Sequence, residues 1–409
     1  MKILSTNDPK PSEFAQLWPL DPKAIFLNHG SFGACTRFIL DKQTQYRQQL
    51  ENQPVRFLAR EMEPLFDHSR QKVAQFVKSR GEDLVFVQNA TAGVNTVFRS
   101  LRFNPGDEIL YTNHIYGACK RLLEYISEQT GARLVEVVWD FPISSSDLIL
   151  DAILKKVTSK TRIALIDHIS SATALIHPVE AIVSELEKRG VDTMIDGAHA
   201  LGSIPLDIEK IGAAYYTANC HKWLCAPKSV AILHIRSDKQ VGIVPVVISH
   251  AGYNAEPFAE RFFWPGTYDP TAALCVADTI DYMESIFPGG WLAIMKRNHD
   301  LCLQAREYIC NILEIEIPCP GSMIASMATF PLPMAEEKIS YDYKNFDPLQ
   351  ERLFREFNIE IPVWDWYSPP SRLTRIAVQL YNSIDQYKYF AAALLKAICN
   401  NRKNRSGAV

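Results

Sequence analysis

The sequence predicts an α/β protein in which a large domain, built on a mainly parallel β-sheet, is followed by a smaller α+β domain. Short β-type runs alternate with helical patterns through the middle of the chain, which is typical of parallel βαβ units whose helices cover both faces of a sheet. The 409 residues are long enough for two domains. Beyond about residue 290, a long helical pattern and strand-like stretches replace the alternation.

Apolar periodicity and polar breaks define the predicted elements. In chain order they are a strand over 84–87, a helix over 92–101, a strand over 108–111, a helix over 116–129, a strand over 133–138, a helix over 146–157, a strand over 162–167, a helix over 178–188, a strand over 192–196 and an apolar run over 213–218. A long helix over 291–313 opens the second domain. We expect an N-terminal arm over 1–23, a large domain over 24–290, a small domain over 291–399 and a disordered tail over 400–409.

Composition restricts the partners and the location. A net charge of -3 without a long basic run gives no electrostatic basis for binding nucleic acid or an anionic membrane, so we expect a small-molecule partner. No stretch approaches the roughly 20 apolar residues that span a bilayer, and the N-terminus lacks the apolar core of a signal peptide, so we expect a cytoplasmic protein. The nine cysteines form no Cys-x-x-Cys motif and are predicted to be mostly reduced, buried thiols.

Lys222 and Asp196 carry the strongest chemical signal. Lys222 follows the apolar run 213–218, and Asp196 ends the strand over 192–196. Burial lowers the pKa of a lysine toward the nucleophilic amine, which can hold an aldehyde cofactor as a Schiff base. A buried carboxylate needs a cation, and the protonated pyridine nitrogen of pyridoxal phosphate is one. Taken singly, each has an ordinary alternative: a solvated surface lysine, and an aspartate that caps a helix.

Further residues fit the rest of such a cofactor. His199, three residues after Asp196, could bond its phenolic oxygen, and the turn over 88–95 could bind its phosphate at a helix N-terminus. Tyr116 or His114 could stack on the ring. Each also has an ordinary interpretation: a satisfied histidine, a threonine that caps a helix, or aromatic packing.

Arg375 lies in an apolar strand-like stretch and therefore needs an acid. A substrate carboxylate and a structural salt bridge are equally compatible with this pattern. The chain contains no Gly-x-Ser-x-Gly elbow, which argues against a serine hydrolase. His168, His177 and His199 have no recognised metal-triad spacing, so no metal site is predicted.

The chain resembles the class V, fold-type I pyridoxal-phosphate enzymes, and within them the isopenicillin N epimerase-like branch. The resemblance covers about residues 24 to 385 and depends on segments over 26–33, 89–93, 114–118, 196–200, 221–224, 264–271 and 375–382. It implies a large, mainly parallel seven-stranded sheet covered by helices, a smaller C-terminal α+β domain, pyridoxal 5'-phosphate as cofactor, and a homodimer with shared active sites.

The resemblance also implies the site residues. Catalytic roles are implied for Lys222, Asp196, His199 and Tyr116; cofactor contacts for Thr91, Ala92, Gly93, His168, Ser170, Asn219 and His221; substrate contacts for Arg375, Asn28 and Ser31; and, from the neighbouring subunit, phosphate contacts for Gly266 and Thr267. A further polar contact to the ring oxygen would come from Asp167, His168 or Ser170.

The implied reaction begins with an amino acid that displaces Lys222, forms an external aldimine and loses its α-proton to Lys222. The leading expectation is an epimerase like isopenicillin N epimerase, which needs a second acid, with Tyr116 or His114 as candidates. The alternatives are a carbon–sulfur lyase on cysteine, a cysteine conjugate or its sulfoxide; a kynureninase-like hydrolase or aminotransferase; and an inactive binding protein. The loop over 364–371 lacks the cysteine of cysteine desulfurases, which argues against persulfide formation.

Overall fold

The computed structural model describes residues 9–333, 346–366 and 371–403. The strands of this part of the chain are β1 (Ile25–Phe26), β2 (Leu84–Val87), β3 (Glu108–Thr112), β4 (Arg133–Val137), β5 (Thr161–Asp167), β6 (Asp192–Asp196), β7 (Tyr215–Asn219), β8 (Ala231–Ile235), β9 (Met327–Leu332), β10 (Ile359–Glu360), β11 (Val363–Trp366) and β12 (Ser371–Ala377). The predicted strands of the large domain are all present, with ends that differ by at most two residues.

The helices alternate with these strands as predicted. The α-helices are α1 (His29–Phe32), α2 (Arg37–Asn52), α3 (Pro54–Arg56), α4 (Met62–Phe76), α5 (Ala90–Ser100), α6 (Gly117–Thr130), α7 (Asp147–Lys156), α8 (Val179–Glu187), α9 (Ile208–Ile211), α10 (Glu260–Phe263), α11 (Thr271–Ser285), α12 (Gly290–Leu313), α13 (Pro348–Phe357) and α14 (Ile384–Lys403). Short 3₁₀ or π turns cover Glu13–Leu17, Phe57–Glu61, Gly81–Asp83, Ser237–Lys239 and Gly321–Met323.

A seven-stranded sheet organises the large domain. Its strand order is β2-β8-β7-β6-β5-β3-β4, with β8 antiparallel to both of its neighbours and every other pair parallel. Consequently β2, β3, β5, β6 and β7 all end at the same edge. Ligands of open α/β sheets bind at this carboxyl edge, where the strand order reverses. The predicted fold class is confirmed.

Alternating apolar residues place a core on each face of this sheet. Ile109, Leu165 and Met194 belong to the core that α5 and α6 cover, whereas Leu110 and Ile195 belong to the larger core on the other face. Both faces of the sheet are therefore buried from solvent, as is usual for a parallel sheet. The same alternation decides which face each polar residue at a strand end occupies.

The small domain contains the antiparallel sheet β11-β12-β9 with the helices α12, α13 and α14. The beginning of the chain joins it, because β1 pairs in parallel with β10. The aromatic loop expected over 364–371 begins as strand β11, and its residues 367–370 lie outside the described part of the chain. The helix α14 continues to Lys403, so the expected tail begins as helix, and residues 404–409 also lie outside the description.

Two expectations from composition can be compared with this fold. The eight cysteines whose side chains are described are all buried and free, as predicted. Among the described residues, no helix is long and apolar enough to cross a membrane.

Candidate active site

A cavity of about 450 Å³ opens at the carboxyl edge of the large sheet. Its lining combines the ends of β5, β6 and β7 with the start of α5 and the α1 segment. The lining residues are Ser31, Phe32, Gln88, Asn89, Ala90, Thr91, Tyr116, Asp167, Ser171, Asp196, Ala198, His199, Asn219, His221, Lys222, Lys228 and Ser229. Half of the predicted site residues line this cavity and are thus brought together from distant parts of the sequence.

Lys222 lines this cavity and is partly buried. It follows β7, and its carbonyl oxygen lies 3.0 Å from Nε2 of His29, whose Nδ1 lies 2.9 Å from the Tyr381 hydroxyl. Burial, and then the positive charge of Arg375, lower the pKa of Lys222 to about 8, although nearby carboxyls oppose the shift. Sequence reasoning missed His29, because a histidine that holds a backbone carbonyl 193 positions away has no local signature.

The turn that carries Lys222 also packs against Gly33. A Cβ atom at Gly33 would lie 1.9 Å from the His221 carbonyl oxygen, and Gly33 has a φ of +68°. Only glycine permits both this backbone conformation and this approach.

Replacing Gly33 with alanine is therefore expected to destabilise the protein by at least about 2 kcal/mol more than Gly190→Ala, measured as the free energy of unfolding in denaturant. Gly190 is the matched control, since its φ is +72° but a Cβ there meets nothing within 4 Å. The control isolates the backbone cost, which is about 1 kcal/mol. Equal losses for the two variants would contradict the proposed close approach.

The two ring nitrogens of His199 contact Lys222 on one side and Trp223 on the other. The Nζ atom of Lys222 lies 3.1 Å from Nε2 of His199, and the Trp223 indole donates to Nδ1 of His199 over 3.4 Å. Burial, and then the charge of Lys222, lower the pKa of His199 well below its ordinary value. His199 is therefore a neutral imidazole at the centre of the site.

Asp196 and Asp167 lie side by side, because they are register partners on neighbouring parallel strands. Asp196 accepts hydrogen bonds from the Ala198 N–H at 2.9 Å and from the Cys119 thiol at 3.6 Å. Burial raises the pKa of Asp196, and burial together with the Asp196 charge raises that of Asp167. Within the described chain, Asp196 has no cation within 4.0 Å, so this buried carboxyl fits a protonated pyridine nitrogen.

The start of α5 forms the phosphate end of the cavity. The Asn89 side chain accepts the Ala92 N–H, and the Asn219 side chain accepts the Ala90 N–H, both at 2.9 Å. Thr91 lines the cavity, and a helix N-terminus favours an anion there.

The predicted phosphate residues Ala92 and Gly93 do not line the cavity. The Ala92 N–H is already bonded to Asn89, and the Gly93 N–H donates to the Asn89 carbonyl. A Cβ at Gly93 would lie 2.4 Å from the Thr217 hydroxyl, so this glycine permits α5 to pack closely on β7.

Lys228 adds a cation that sequence reasoning missed. It lines the cavity together with Ser229 and His221, and its Nζ donates to the Gly33 carbonyl over 3.3 Å. Burial lowers the pKa of Lys228, and burial lowers that of His221 to about 4. Its position six residues after Lys222, on the same turn, was the available signal.

Arg375 lies directly behind Ser31 and Ser171, which line the cavity. Its Nη1 donates to the carbonyl and, over 3.3 Å, to the hydroxyl of Ser171, and its Nη2 lies 3.5 Å from the Ser31 hydroxyl. The guanidinium also lies 5.5 Å from the Trp364 ring centre, and its Nε has no hydrogen-bond partner among the residues that the structure describes. Burial lowers the pKa of Arg375 to about 10.

No carboxylate within the described ranges lies within 4.0 Å of the Arg375 guanidinium. Of the two interpretations of this arginine, a substrate carboxylate therefore fits the structure better than an internal salt bridge. The Ser31 hydroxyl donates to Asn28 over 2.6 Å, which places Ser31 at the cavity and Asn28 just behind it.

Several predicted residues point elsewhere. Successive residues at a strand end face opposite sides of the sheet, so Asp167 lines the cavity while His168 bonds the Tyr216 hydroxyl at 2.8 Å on the other face. The Ser170 hydroxyl is held by Thr173 at 2.7 Å. Direct contact of His168 or Ser170 with the cofactor therefore disagrees with this arrangement.

His114 is also turned away from the cavity. Its Nδ1 lies 2.7 Å from the Thr173 hydroxyl, and its ring stacks on Trp139 with centroids 4.6 Å apart. Tyr116 lines the cavity and caps α6, so the tyrosine is the better placed of the two aromatic candidates. Gly266 and Thr267 do not line this cavity, but Thr267 lines a neighbouring one of about 510 Å³ that shares Gln88 and Ser229 with it.

A partly buried amine, a buried carboxyl without a cation in the described part of the chain, and a helix N-terminus meet in one cavity at the carboxyl edge of a mainly parallel sheet. This is the arrangement that fold-type I pyridoxal-phosphate enzymes require, and the protein is an enzyme of that class. The family model described as "Aminotransferase class-V" matches residues 33–341, and the chain belongs to that family.

Relatives and solved structures agree with this placement. A probable chloroplastic L-cysteine desulfhydrase of Arabidopsis thaliana is 32% identical over 90% of this chain and 81% of its own length. The isopenicillin N epimerase of Streptomyces clavuligerus is 28% identical over 92% of this chain and 95% of its own length. The apo structure of a cysteine desulfurase from Thermococcus onnurineus NA1 has a TM-score of 0.78 at 19% identity, covers 97% of this chain and 100% of that one, and is similar in fold.

Proposed function

We propose that the enzyme is a carbon–sulfur lyase that converts cysteine, or a cysteine-derived amino acid, and water to pyruvate, ammonia and the released sulfur group. The observation that supports an amino-acid substrate is the buried Arg375 guanidinium, which has no carboxylate partner among the described residues and lies directly behind the cavity wall. The relatives named L-cysteine desulfhydrase from Arabidopsis thaliana and Oryza sativa support the choice of sulfur chemistry.

The residues of the chain have separate tasks in this proposal. Arg375 binds the substrate carboxylate, helped by the hydroxyls of Ser31 and Ser171. Lys222, whose pKa is lowered to about 8, removes the α-proton as a neutral amine. Asp196 balances the charge of the pyridine nitrogen. Pyridoxal phosphate, when bound, supplies the electron sink for the negative charge that develops at the α-carbon.

Epimerisation, the leading expectation from sequence, is the second candidate. It requires an acid on the face opposite Lys222, and of the two residues predicted for this role only Tyr116 lines the cavity. Burial raises the pKa of Tyr116 above its ordinary value, so its phenol keeps its proton at neutral pH. The relative named isopenicillin N epimerase supports this candidate.

One incubation separates these reactions. With L-cysteine in heavy water, the lyase is expected to release sulfide and pyruvate in equal amounts, because loss of the β-sulfur follows removal of the α-proton. Sulfide is measured colorimetrically, and pyruvate and recovered cysteine by NMR. Deuterium at the α-carbon of both cysteine enantiomers, with no sulfide released, would indicate an epimerase and contradict the lyase. 3-Mercaptopyruvate without sulfide, formed while the cofactor gains the amino group, would indicate a transaminase.

We infer a homodimer in which the neighbouring cavity next to the active site is covered by the second subunit. Val246, Val247 and Ile248 are each more than half exposed at this position, which is unusual for apolar side chains in one region. Phosphate contacts by Gly266 and Thr267 of a second subunit fit this placement and stay a prediction. The cytoplasmic location likewise stays a prediction.

A further inference from the structure

We propose that Trp223 is a positioning residue that fixes the tautomer of His199 and thereby presents a hydrogen-bond donor to Lys222, which keeps the lysine as an unprotonated, nucleophilic amine. This inference goes beyond the proposed reaction, because it concerns the lysine before any substrate binds. It requires only that the cofactor attaches to Lys222.

The first step is the position of the proton on His199. A neutral imidazole has one nitrogen that donates and one that accepts, and an indole N–H can only donate. Since Trp223 donates to Nδ1 over 3.4 Å, Nδ1 carries the lone pair and Nε2 carries the proton. The burial of His199, which is 2% exposed, keeps the ring neutral, so this assignment holds at physiological pH.

The second step is the contact with Lys222. The Nε2 atom of His199 lies 3.1 Å from Nζ of Lys222. An ammonium group has three donors and no lone pair, whereas a neutral amine accepts a hydrogen bond. The N–H of His199 therefore has an acceptor only when Lys222 is unprotonated. With the opposite tautomer, Nε2 would accept from the ammonium and stabilise the protonated, unreactive form.

The other charged groups around Lys222 do not determine its state by themselves. Arg375 disfavours the ammonium, while Asp196, Asp167 and, more weakly, Cys119 favour it. Two carboxyls therefore oppose one guanidinium in a buried site. The hydrogen bond from His199 adds to the effect of Arg375 and of burial, and Trp223 is what orients it.

Packing makes Trp223 suited to this task. The residue is 1% exposed, its ring lies 5.0 Å from the His29 ring, and a Cβ atom at Gly202 would lie 2.6 Å from the backbone of Trp223. This close packing restricts rotation of the indole away from His199. Because Trp223 follows Lys222 directly in the chain, the same turn positions both the amine and the group that orients its partner.

The test follows the attachment of pyridoxal phosphate to the apoenzyme, without substrate, through the rise of the visible absorbance band at a series of pH values. Trp223→Phe removes the N–H but keeps most of the ring. The rate below the pKa of Lys222 is expected to fall about tenfold relative to wild type, and the two rates should converge at alkaline pH. The acid limb of the plot of attachment rate against pH thus shifts to higher pH by about one unit.

Two controls separate positioning from packing. Trp291→Phe removes another buried indole N–H, which donates to the Ile280 carbonyl outside the site, and should leave the profile unchanged. Adding Trp223→Phe to His199→Leu should cause no further shift, because the indole acts through His199 and leucine has no polar atom that could replace it. A Trp223→Phe rate that falls equally at every pH, or does not fall, overturns the proposal.

If the Trp223→Phe variant does not fold, ¹⁵N NMR of the histidine-labelled wild-type apoenzyme tests the proposal instead. The His199 signals are assigned by their loss in His199→Gln. A proton on Nδ1 of His199 overturns the proposal.

Discussion

Lys222→Ala is expected to lower turnover of the substrate at least about 10³-fold while the protein stays folded. The variant loses both the amine that binds the cofactor covalently and the base that removes the α-proton, and Lys228, which also lines the cavity, is exposed. Because the fold buries this amine at a cost, its removal should change the free energy of unfolding by no more than about 1 kcal/mol. Product formation and denaturant unfolding measure the two effects.

Two further variants make this result specific. Lys222→Arg keeps a positive charge but has no amine that can attach to the cofactor, so it should be as inactive as the alanine variant. Lys210→Ala removes an exposed lysine that pairs with Glu180 on the surface, and its turnover should equal that of wild type. Wild-type turnover by Lys222→Ala would eliminate the assignment of Lys222, whatever the substrate.

The sequence predicted the sheet well because a parallel sheet buried on both faces leaves short apolar runs that end in polar residues. Asp167 and Asp196 end the predicted strands over 162–167 and 192–196, Asn219 follows the apolar run over 213–218, and all three line the cavity. The order of the strands and the antiparallel direction of β8 were not predicted, since pairing depends on contacts between segments that are far apart in the chain.

The sequence could not predict the direction in which side chains point just beyond the end of a strand. His168 follows Asp167 directly, but strand alternation turns it toward Tyr216 on the opposite face. Gly93 was expected to admit a phosphate, whereas its missing side chain admits Thr217. In both cases the residue type fitted the expected chemistry, and only the packing of a second element determined its position.

Contacts between distant residues that orient the reactive groups could not be predicted from sequence either. His29 holds the carbonyl of Lys222, and Trp223 orients His199, yet neither contact has a sequence spacing that predicts it. The groups that react could therefore be predicted from local pattern, whereas the groups that orient them could be found only from the folded chain. This division explains why the class of cofactor follows from sequence more readily than the state of the lysine.

Arg375→Met is expected to lower kcat/KM for the amino acid about 30-fold to 1,000-fold and, in the substrate-free protein, to raise the free energy of unfolding by about 1 kcal/mol. The two effects have opposite signs because a buried guanidinium without a carboxylate is costly until the substrate provides one. Steady-state kinetics and denaturant unfolding without substrate measure them. An internal salt bridge would instead predict that the same substitution destabilises the protein.

Arg372 on the same strand is the matched control. It is 9% exposed, and its Nη1 pairs with the buried Asp347 carboxylate at 3.1 Å. Arg372→Met removes that partner from Asp347 and should lower the free energy of unfolding by about 3 kcal/mol, with little change in kcat/KM at temperatures where the variant is folded. If both substitutions destabilise the protein equally, Arg375 has a structural role, and the substrate carboxylate must be bound elsewhere in the cavity.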